Sequence, residues 1–188
     1  MAIPHQAEAE AFVKANKITT RAAWGAQATK LDATKADNLD WDYNTLVIHH
    51  SGRSGEDDPQ KVQKKHMDVR KWDDIGYHFM IEGSGKVYEG RALYFKGAHV
   101  ENANTGKIGI LVMGNFETLA LGFGGSDPTQ LQLQSVKALG TALKGLFPTI
   151  KTLGGHKDFK KSTACPGDRM YPMLGGLRTA LVLNAPPP

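Results

Sequence analysis

The sequence of 188 residues contains one cysteine, which excludes an internal disulfide bond. The chain therefore needs no oxidising compartment to fold. No apolar stretch approaches the length that spans a bilayer, so we predict no transmembrane segment. The first ten residues contain neither a basic segment nor an apolar one, and as written they are not a Sec-type signal peptide.

The net charge is also small, since the sequence has 23 Lys and Arg residues and 19 Asp and Glu residues, which gives +4. A mildly basic surface suits approach to nucleic acid, anionic lipid or an acidic cell-wall polymer, and it is equally typical of an ordinary solvated surface. The lysines form no basic run or aromatic-basic stripe, so we predict no nucleic-acid partner. The length and the 40% hydrophobic content suit one globular domain.

Hydrophobic patterning predicts strands interleaved with helices. Such an order favours the α/β class, here a single domain with a central mixed β-sheet flanked by α-helices. We predict a longest helix that opens at Asp127-Pro128, because an acidic N-cap followed by proline suits a helix start. The predicted helices cover 7–15, 59–70, a segment from 127 to 147, and 174–183, and the predicted strands cover 46–48, 77–81, 86–89, 108–113 and 149–153.

Three separated residues carry the strongest chemical signal: His49, His156 and Cys165. Two imidazoles and one thiolate can supply three ligands of a tetrahedral zinc ion and leave the fourth position for water, which is how hydrolytic zinc sites are built. No His-Glu-x-x-His motif is present, so the fold must assemble the site. Spacing alone leaves two other interpretations open, a histidine that merely ends a core strand and an inert buried thiol.

An ordered set of short segments resembles the zinc-dependent N-acetylmuramoyl-L-alanine amidases, a family that includes phage amidase lysozymes and animal peptidoglycan recognition proteins. Each segment alone is a weak signal, and their common order over residues 18–170 is specific. The matching segments are ITTRAAWGA at 18–26, VIHHS at 47–51, DIGYHF at 74–79, GKVYEGR at 85–91, GAH at 97–99, IGI at 108–110, MGNF at 113–116, GHK at 155–157 and CPG at 165–167.

The resemblance implies a zinc cleft on one side of the sheet and cleavage of the amide between N-acetylmuramic acid and L-alanine. It identifies His49, His156 and Cys165 as the Zn²⁺ ligands. It also gives Tyr77 and Thr163 catalytic roles at the open zinc position. Thr163 departs from the lysine of some relatives, so it supplies a hydrogen bond without charge. The residues that fall where the family lines its muropeptide groove are His50, Ser51 and His99.

The resemblance leaves two functional classes open, an amidase and a non-catalytic peptidoglycan receptor. Some receptors lack the cysteine, so Cys165 favours the enzyme. We expect residues 1–17 to be an N-terminal extension with a short helix, 18–183 the amidase domain, and 184–188 a disordered Pro-rich tail. Arg53 and Arg70 are candidates for stem-peptide carboxylates, and we expect Glu89 to pair with Arg91 or a neighbouring lysine.

The expected partner is peptidoglycan or a muropeptide, and we expect a monomer. Without a Sec signal, the protein is expected to be made in the cytoplasm and to act on the cell wall or periplasm after release or non-Sec delivery. This fits a phage endolysin, a secreted antibacterial effector blocked by an immunity protein, or a cell-wall recycling enzyme. A missing leader remains an alternative.

Overall fold

The computed structural model describes residues 2–52, 56–118 and 124–187, and a five-stranded mixed sheet lies at its centre. The strand order is β3-β2-β4-β1-β5, in which all neighbours run parallel except the antiparallel pair β2 and β3. The predicted α/β class with one mixed sheet is confirmed. The strands are β1 (Thr45–His50), β2 (Phe79–Ile81), β3 (Val87–Glu89), β4 (Lys107–Val112) and β5 (Thr152–Gly155).

Helices pack against this sheet. Among the described residues, no helix is both long enough and apolar enough to cross a membrane. The α-helices are α1 (Gln6–Ala15), α2 (Pro59–Lys64), α3 (Gln130–Leu146), α4 (His156–Phe159) and α5 (Met173–Leu181), with a π-helical turn at Lys65–Val69 after α2 and a 3₁₀ turn at Ala36–Asn38.

The two sides of the sheet carry different apolar clusters, because successive side chains of a strand point to opposite faces. On β4, Ile108 and Ile110 join the larger cluster, to which α1, α3 and α5 contribute. Leu111 points to the other face and packs with Val62 of α2 and with Met80. The smaller cluster leaves part of this second face uncovered, and the cleft described below opens there.

Several element boundaries differ from the sequence predictions. The longest helix begins at Gln130 rather than at Asp127-Pro128, because Thr129 and Gln132 form a reciprocal capping box. Tyr77 precedes strand β2 instead of lying in it, and β5 begins at Thr152 rather than at 149.

The ends of the chain also contact the sheet. Helix α1 places Phe12 6.0 Å from the ring of Phe79 in β2. Near the other end, the amide N–H of Asn184 donates to the carbonyl of Lys151 at 2.8 Å, and its carbonyl accepts from the N–H of Leu153 at 3.0 Å. The backbone therefore stays paired with β5 as far as Asn184.

Candidate metal centre

Two neighbouring parallel strands bring His49 and His156 together. His49 is the fifth residue of β1, and alternation places it on the same face as Leu111, its partner in β4. His156 directly follows β5, whose Gly155 pairs with Ile48. Parallel strands end at the same edge of a sheet, so the two imidazole rings lie with their centroids 4.6 Å apart.

Cys165 reaches the same point from the loop after α4. Its carbonyl accepts a hydrogen bond from the N–H of Lys157 at 2.9 Å, which ties the loop to that helix. The Cys165 Sγ accepts from the N–H of His50 at 3.3 Å and lies 3.7 Å from His49 Nδ1. One donor atom each from His49, His156 and Cys165 therefore lies within 4.8 Å of the other two. The structure thus brings together the three predicted ligands.

One donor pair has the separation that a zinc ion requires, and another donor residue carries an unsatisfied nitrogen. Zinc bonds of about 2.3 Å to sulfur and 2.0–2.1 Å to nitrogen in a tetrahedron separate these donors by about 3.6 Å. The distance from Sγ to His49 Nδ1 is 3.7 Å. The Nε2 atom of His156 is buried and has no hydrogen-bond partner among the described residues. A buried polar atom without a partner costs stability, and a metal ion would satisfy it.

Burial sets the protonation of these groups. It lowers the pKa of His49 well below its usual value, with His99 and His156 adding to the effect. It also lowers the pKa of His156 to about 4, helped by Lys160. Both imidazoles are therefore neutral at pH 7, which is the metal-binding form. Burial raises the pKa of the Cys165 thiol to about 12, so thiolate formation here calls for a nearby positive charge such as a metal ion.

A cleft of about 480 Å³ opens beside the three donors. It is lined by polar, charged and aromatic side chains from β1, the π-helical turn and the loops before β2 and β4. Two ion pairs lie in its wall, between Lys65 and Glu56 at 2.6 Å and between Lys160 and Glu101. Its lining includes His50, Ser51, Glu56, Lys65, His66, Arg70, Trp72, Tyr77, His99, Glu101, Asn104, His156, Lys160 and Cys165.

Tyr77 lines the cleft beside the donors. Its ring lies 5.0 Å from that of His49 and 5.4 Å from that of His66. Burial and the neighbouring Cys165 raise its pKa, so the phenol keeps its proton at neutral pH. Tyr77 therefore lies beside the candidate centre with a protonated hydroxyl, and its catalytic role stays a prediction.

His50 and Ser51 also line the cleft, and both have protein partners. His50 Nε2 lies 3.3 Å from a carboxylate oxygen of Glu117, and its Nδ1 accepts from the N–H of Phe116 at 3.4 Å. The Ser51 hydroxyl accepts from the N–H of Gly114 at 2.9 Å. Their predicted contact with substrate is not tested by these bonds.

Two other predicted site residues lie in distinct surroundings. His99 lies against His49, with the His99 Nδ1 3.0 Å from His49 Nε2. Thr163 lines a smaller depression next to the cleft, and its Oγ1 accepts from the N–H of Cys165 at 3.2 Å. The structure therefore places Thr163 beside Cys165, and its catalytic role also stays a prediction.

The arginine and glutamate predictions have mixed outcomes. Arg70 lies in the cleft wall, with its guanidinium 5.0 Å from the ring centroid of Trp72, and Arg53 lies outside the described residues.

The prediction that Glu89 pairs with Arg91 or a lysine was wrong, since the Glu89 carboxylate accepts from the N–H of Arg21 at 3.0 Å. Arg91 is instead buried and donates to backbone carbonyls such as that of Ile75 at 2.7 Å.

Sequence reasoning missed His66 and the role of Trp72 in the cleft. His66 lies on the π-helical turn, where its Nδ1 accepts from the N–H of Gly76 at 3.0 Å and its ring lies tilted against that of Trp72, with the centroids 4.6 Å apart. Burial lowers its pKa to about 3. Their positions in the sequence carry no local signal for a cleft wall.

Comparisons with known proteins identify a family. A family model described as N-acetylmuramoyl-L-alanine amidase matches residues 40–168. The chain is 32% identical over 177 residues to an N-acetylmuramoyl-L-alanine amidase of Mus musculus, a match that covers 88% of this chain and 31% of that protein. The chain thus spans about a third of that relative's length.

Two solved structures extend the comparison. One is an endolysin N-acetylmuramoyl-L-alanine amidase from Clostridium intestinale, at a TM-score of 0.69 and 29% identity, with 84% of this chain and 93% of that chain covered. The other is the ectodomain complex of peptidoglycan recognition proteins LCa and LCx bound to tracheal cytotoxin, at a TM-score of 0.68 and 32% identity, with 84% and 93% covered. The neighbours thus include amidases and recognition proteins.

Proposed function

The chain belongs to the N-acetylmuramoyl-L-alanine amidase family, and we propose that it hydrolyses the amide between N-acetylmuramic acid and the L-alanine of peptidoglycan stem peptides. We further propose that a zinc ion held by His49, His156 and Cys165 supports this reaction. The observation that carries the proposal is the convergence of one donor atom from each of these three residues, together with the buried Nε2 atom of His156, which has no hydrogen-bond partner among the described residues. Three protein ligands leave one tetrahedral position open, as in hydrolytic zinc sites.

The protein's residues set up the reaction around that centre. Zinc, when bound, would polarise the substrate carbonyl and lower the pKa of water. Tyr77 keeps its phenolic proton and can donate it in a hydrogen bond to the carbonyl oxygen that gains negative charge. Thr163, bonded to the backbone of Cys165, is the proposed second donor. Hydrolysis breaks the C–N bond: the oxygen of water bonds to the lactyl carbonyl carbon, and the alanine nitrogen leaves with a proton.

The cleft suits a muropeptide in size and chemistry. Its volume of about 480 Å³ lies within the range of small-ligand sites. Trp72 contributes an aromatic ring to the cleft wall, and Arg70, which lies over that ring, offers a guanidinium for a stem-peptide carboxylate. A structural neighbour holds tracheal cytotoxin, which supports a peptidoglycan fragment as the ligand here.

A non-catalytic peptidoglycan receptor is the second candidate function, and the similarity to the recognition-protein complex favours it. This alternative needs muropeptide binding and no zinc chemistry. Cys165 separates the two, because an amidase requires its thiolate and a receptor does not. A Cys165→Ser variant that retains the complete function of the parent would establish the receptor.

For the biological setting, we propose bacteriolysis, either as an endolysin or as a secreted antibacterial effector. The structural similarity to a clostridial endolysin supports the first. An effector would meet an immunity protein that covers the cleft, and we expect a monomer that acts on the cell wall or periplasm. Lysis of permeabilised bacteria by added protein tests the proposed bacteriolytic role. If the protein hydrolyses soluble muropeptides completely but leaves the cells intact, that result would contradict this role.

Product analysis tests the chemistry. Purified peptidoglycan and soluble muropeptides are digested with zinc-loaded protein, and the fragments are identified by mass spectrometry. We expect stem peptides that begin with L-alanine, and we expect them to disappear with excess chelator and with Cys165→Ala. Uncut substrate from the zinc-loaded parent, together with saturable muropeptide binding, would refute the amidase and support the receptor.

A further inference from the structure

His99 is a buried histidine whose two ring nitrogens both have protein partners. Its Nε2 lies 3.3 Å from the carbonyl oxygen of Lys107, and its Nδ1 lies 3.0 Å from His49 Nε2. A carbonyl oxygen only accepts hydrogen bonds, so the proton of a neutral His99 is on Nε2. Its Nδ1 is then the acceptor, and His49 Nε2 must be the donor.

This order of donors fixes the state of His49. An imidazole that is neutral and carries its proton on Nε2 has its lone pair on Nδ1. His49 Nδ1 is the atom that lies 3.7 Å from Cys165 Sγ. The run of hydrogen bonds from the Lys107 carbonyl therefore directs the lone pair of His49 towards the other two donors.

The fold leaves a fitted space for the His99 ring. A Cβ at Gly109, in the middle of β4, would come within 2.5 Å of His99 Cδ2, and a Cβ at Gly97 would come within 2.6 Å of the same atom. The backbone N–H groups of His99 and Val100 both donate to Asn104 Oδ1 at 2.8 Å. Two positions without a side chain and one bridging amide thus hold the ring against His49.

We propose that His99 is a positioning residue that fixes the tautomer and orientation of His49, so that Nδ1 of His49 is its metal-binding atom. This inference rests on the proposed zinc function. It gives His99 a role distinct from the substrate contact that the family resemblance implies, because neither ring nitrogen is available to a substrate. Partners of this kind typically contribute 10- to 100-fold to metal affinity.

The first test needs no metal. Two-bond ¹H–¹⁵N correlation spectra of ¹⁵N-histidine-labelled, chelator-treated protein at neutral pH report which nitrogen of each ring carries the proton. We expect the Nε2–H tautomer for both His49 and His99. A proton on Nδ1 of either ring would overturn the inference, and this outcome does not depend on whether the protein is an amidase.

The second test compares zinc affinities by competition with a chromophoric chelator. His99→Leu removes the acceptor, and His99→Asn keeps a carbonyl oxygen near the place of Nδ1. We expect zinc affinity to fall 10- to 100-fold in the leucine variant and to stay within about threefold of the parent in the asparagine variant. His66→Leu is the matched control, since it also removes a buried cleft histidine. The Nδ1 atom of His66 accepts from the N–H of Gly76, which belongs to none of the three proposed zinc ligands.

The outcomes separate this inference from the proposed function. A parent that binds no zinc refutes the zinc function, and the tautomer spectra then decide the arrangement of the two histidines. A parent that binds zinc no more tightly than His99→Leu refutes the positioning role alone. Equal losses in the leucine and asparagine variants would also overturn it, because they would show that only the shape of His99 matters. If His99→Leu does not fold, the asparagine variant and the spectra carry the test.

Discussion

Acid should destabilise the metal-free protein through His78, a fully buried histidine beneath the site. Its Nδ1 accepts from the N–H of Gly109 at 3.1 Å, and its Nε2 lies 3.1 Å from both the carbonyl of Phe95 and the hydroxyl of Tyr43. The Tyr43 hydroxyl in turn donates to the Leu93 carbonyl at 2.7 Å. Protonation at Nδ1 would point the new N–H of His78 at the N–H of Gly109, so these hydrogen bonds are compatible only with a neutral ring.

The magnitude follows from the pKa. Burial lowers the pKa of His78 from 6.5 to about 3, partly opposed by its hydrogen bond with Phe95 and assisted by Arg91. Between these values the unfolded chain binds a proton that the folded protein does not, so stability rises with pH in that window. The loss on acidification is about 1.4 kcal/mol per pH unit at its steepest. From pH 7 to pH 5 it integrates to about 2 kcal/mol for this one side chain.

Urea unfolding of chelator-treated parent and His78→Asn at pH 7 and pH 5 measures this contribution. Asparagine keeps an acceptor for the N–H of Gly109 and does not titrate. Because it loses the contact with the Phe95 carbonyl, the variant should be about 1–3 kcal/mol less stable than the parent at pH 7. It should then lose about 2 kcal/mol less than the parent between the two pH values. Distant histidines contribute equally to both proteins and cancel in the difference. The neighbouring His99, whose ring lies 5.9 Å from that of His78, stays neutral in the folded state of the parent over this range because burial lowers its pKa well below the usual value. Equal pH dependence in the two proteins would refute the reasoning.

Three further predictions concern the site itself. Tyr77→Phe should lower kcat by about 10²–10³-fold and leave zinc affinity unchanged, because it removes one hydrogen-bond donor to the oxyanion. Steady-state kinetics and a zinc titration check this. A lower zinc affinity would contradict it. Cys165→Ser should abolish tight zinc binding and amide cleavage while muropeptide binding persists, as read by calorimetry and product analysis; undiminished cleavage would contradict the ligand assignment. Gly109→Ala places a Cβ within 2.5 Å of the His99 ring, so it should cost about 1–3 kcal/mol of stability and weaken zinc binding, measured by urea unfolding and chelator competition; parent-like zinc affinity would contradict it.

The sheet and the proximity of the three candidate metal donors were predictable because their signals are local or ordered along the chain. The apolar run that ends in His49 is typical of a buried parallel strand, and β1 confirms it. In the segment from 127 to 147, Val136, Leu139 and Leu143 recur at helical spacing, which predicts the longest helix, and all three pack in the larger apolar cluster. The start of this helix was misplaced although Thr129 and Gln132 have the spacing of a capping box, a sequence signal that outweighed Asp127-Pro128 in the structure.

The cleft wall was less predictable, because residues far apart in sequence form it. His66 reaches the cleft from a π-helical turn, and no local feature of its sequence distinguishes that turn from a continued α-helix. Trp72 also lines the cleft, and a lone tryptophan in a sequence does not show whether its ring packs in the core or lines a cleft. Tertiary contacts decide both cases, and a single sequence does not contain them explicitly.

The role inferred for His99 shows where a sequence does carry such information, although in a neighbour rather than in the residue itself. Glycine weakens a strand because it adds conformational entropy to the unfolded chain and packs nothing. Gly109 nevertheless stands in the middle of β4, between buried Ile108 and Ile110. The space that it leaves is filled by the ring of His99, which contacts His49. A glycine in a buried strand near a candidate ligand therefore indicates close approach by another group, and here that group sets the direction of the ligand's lone pair.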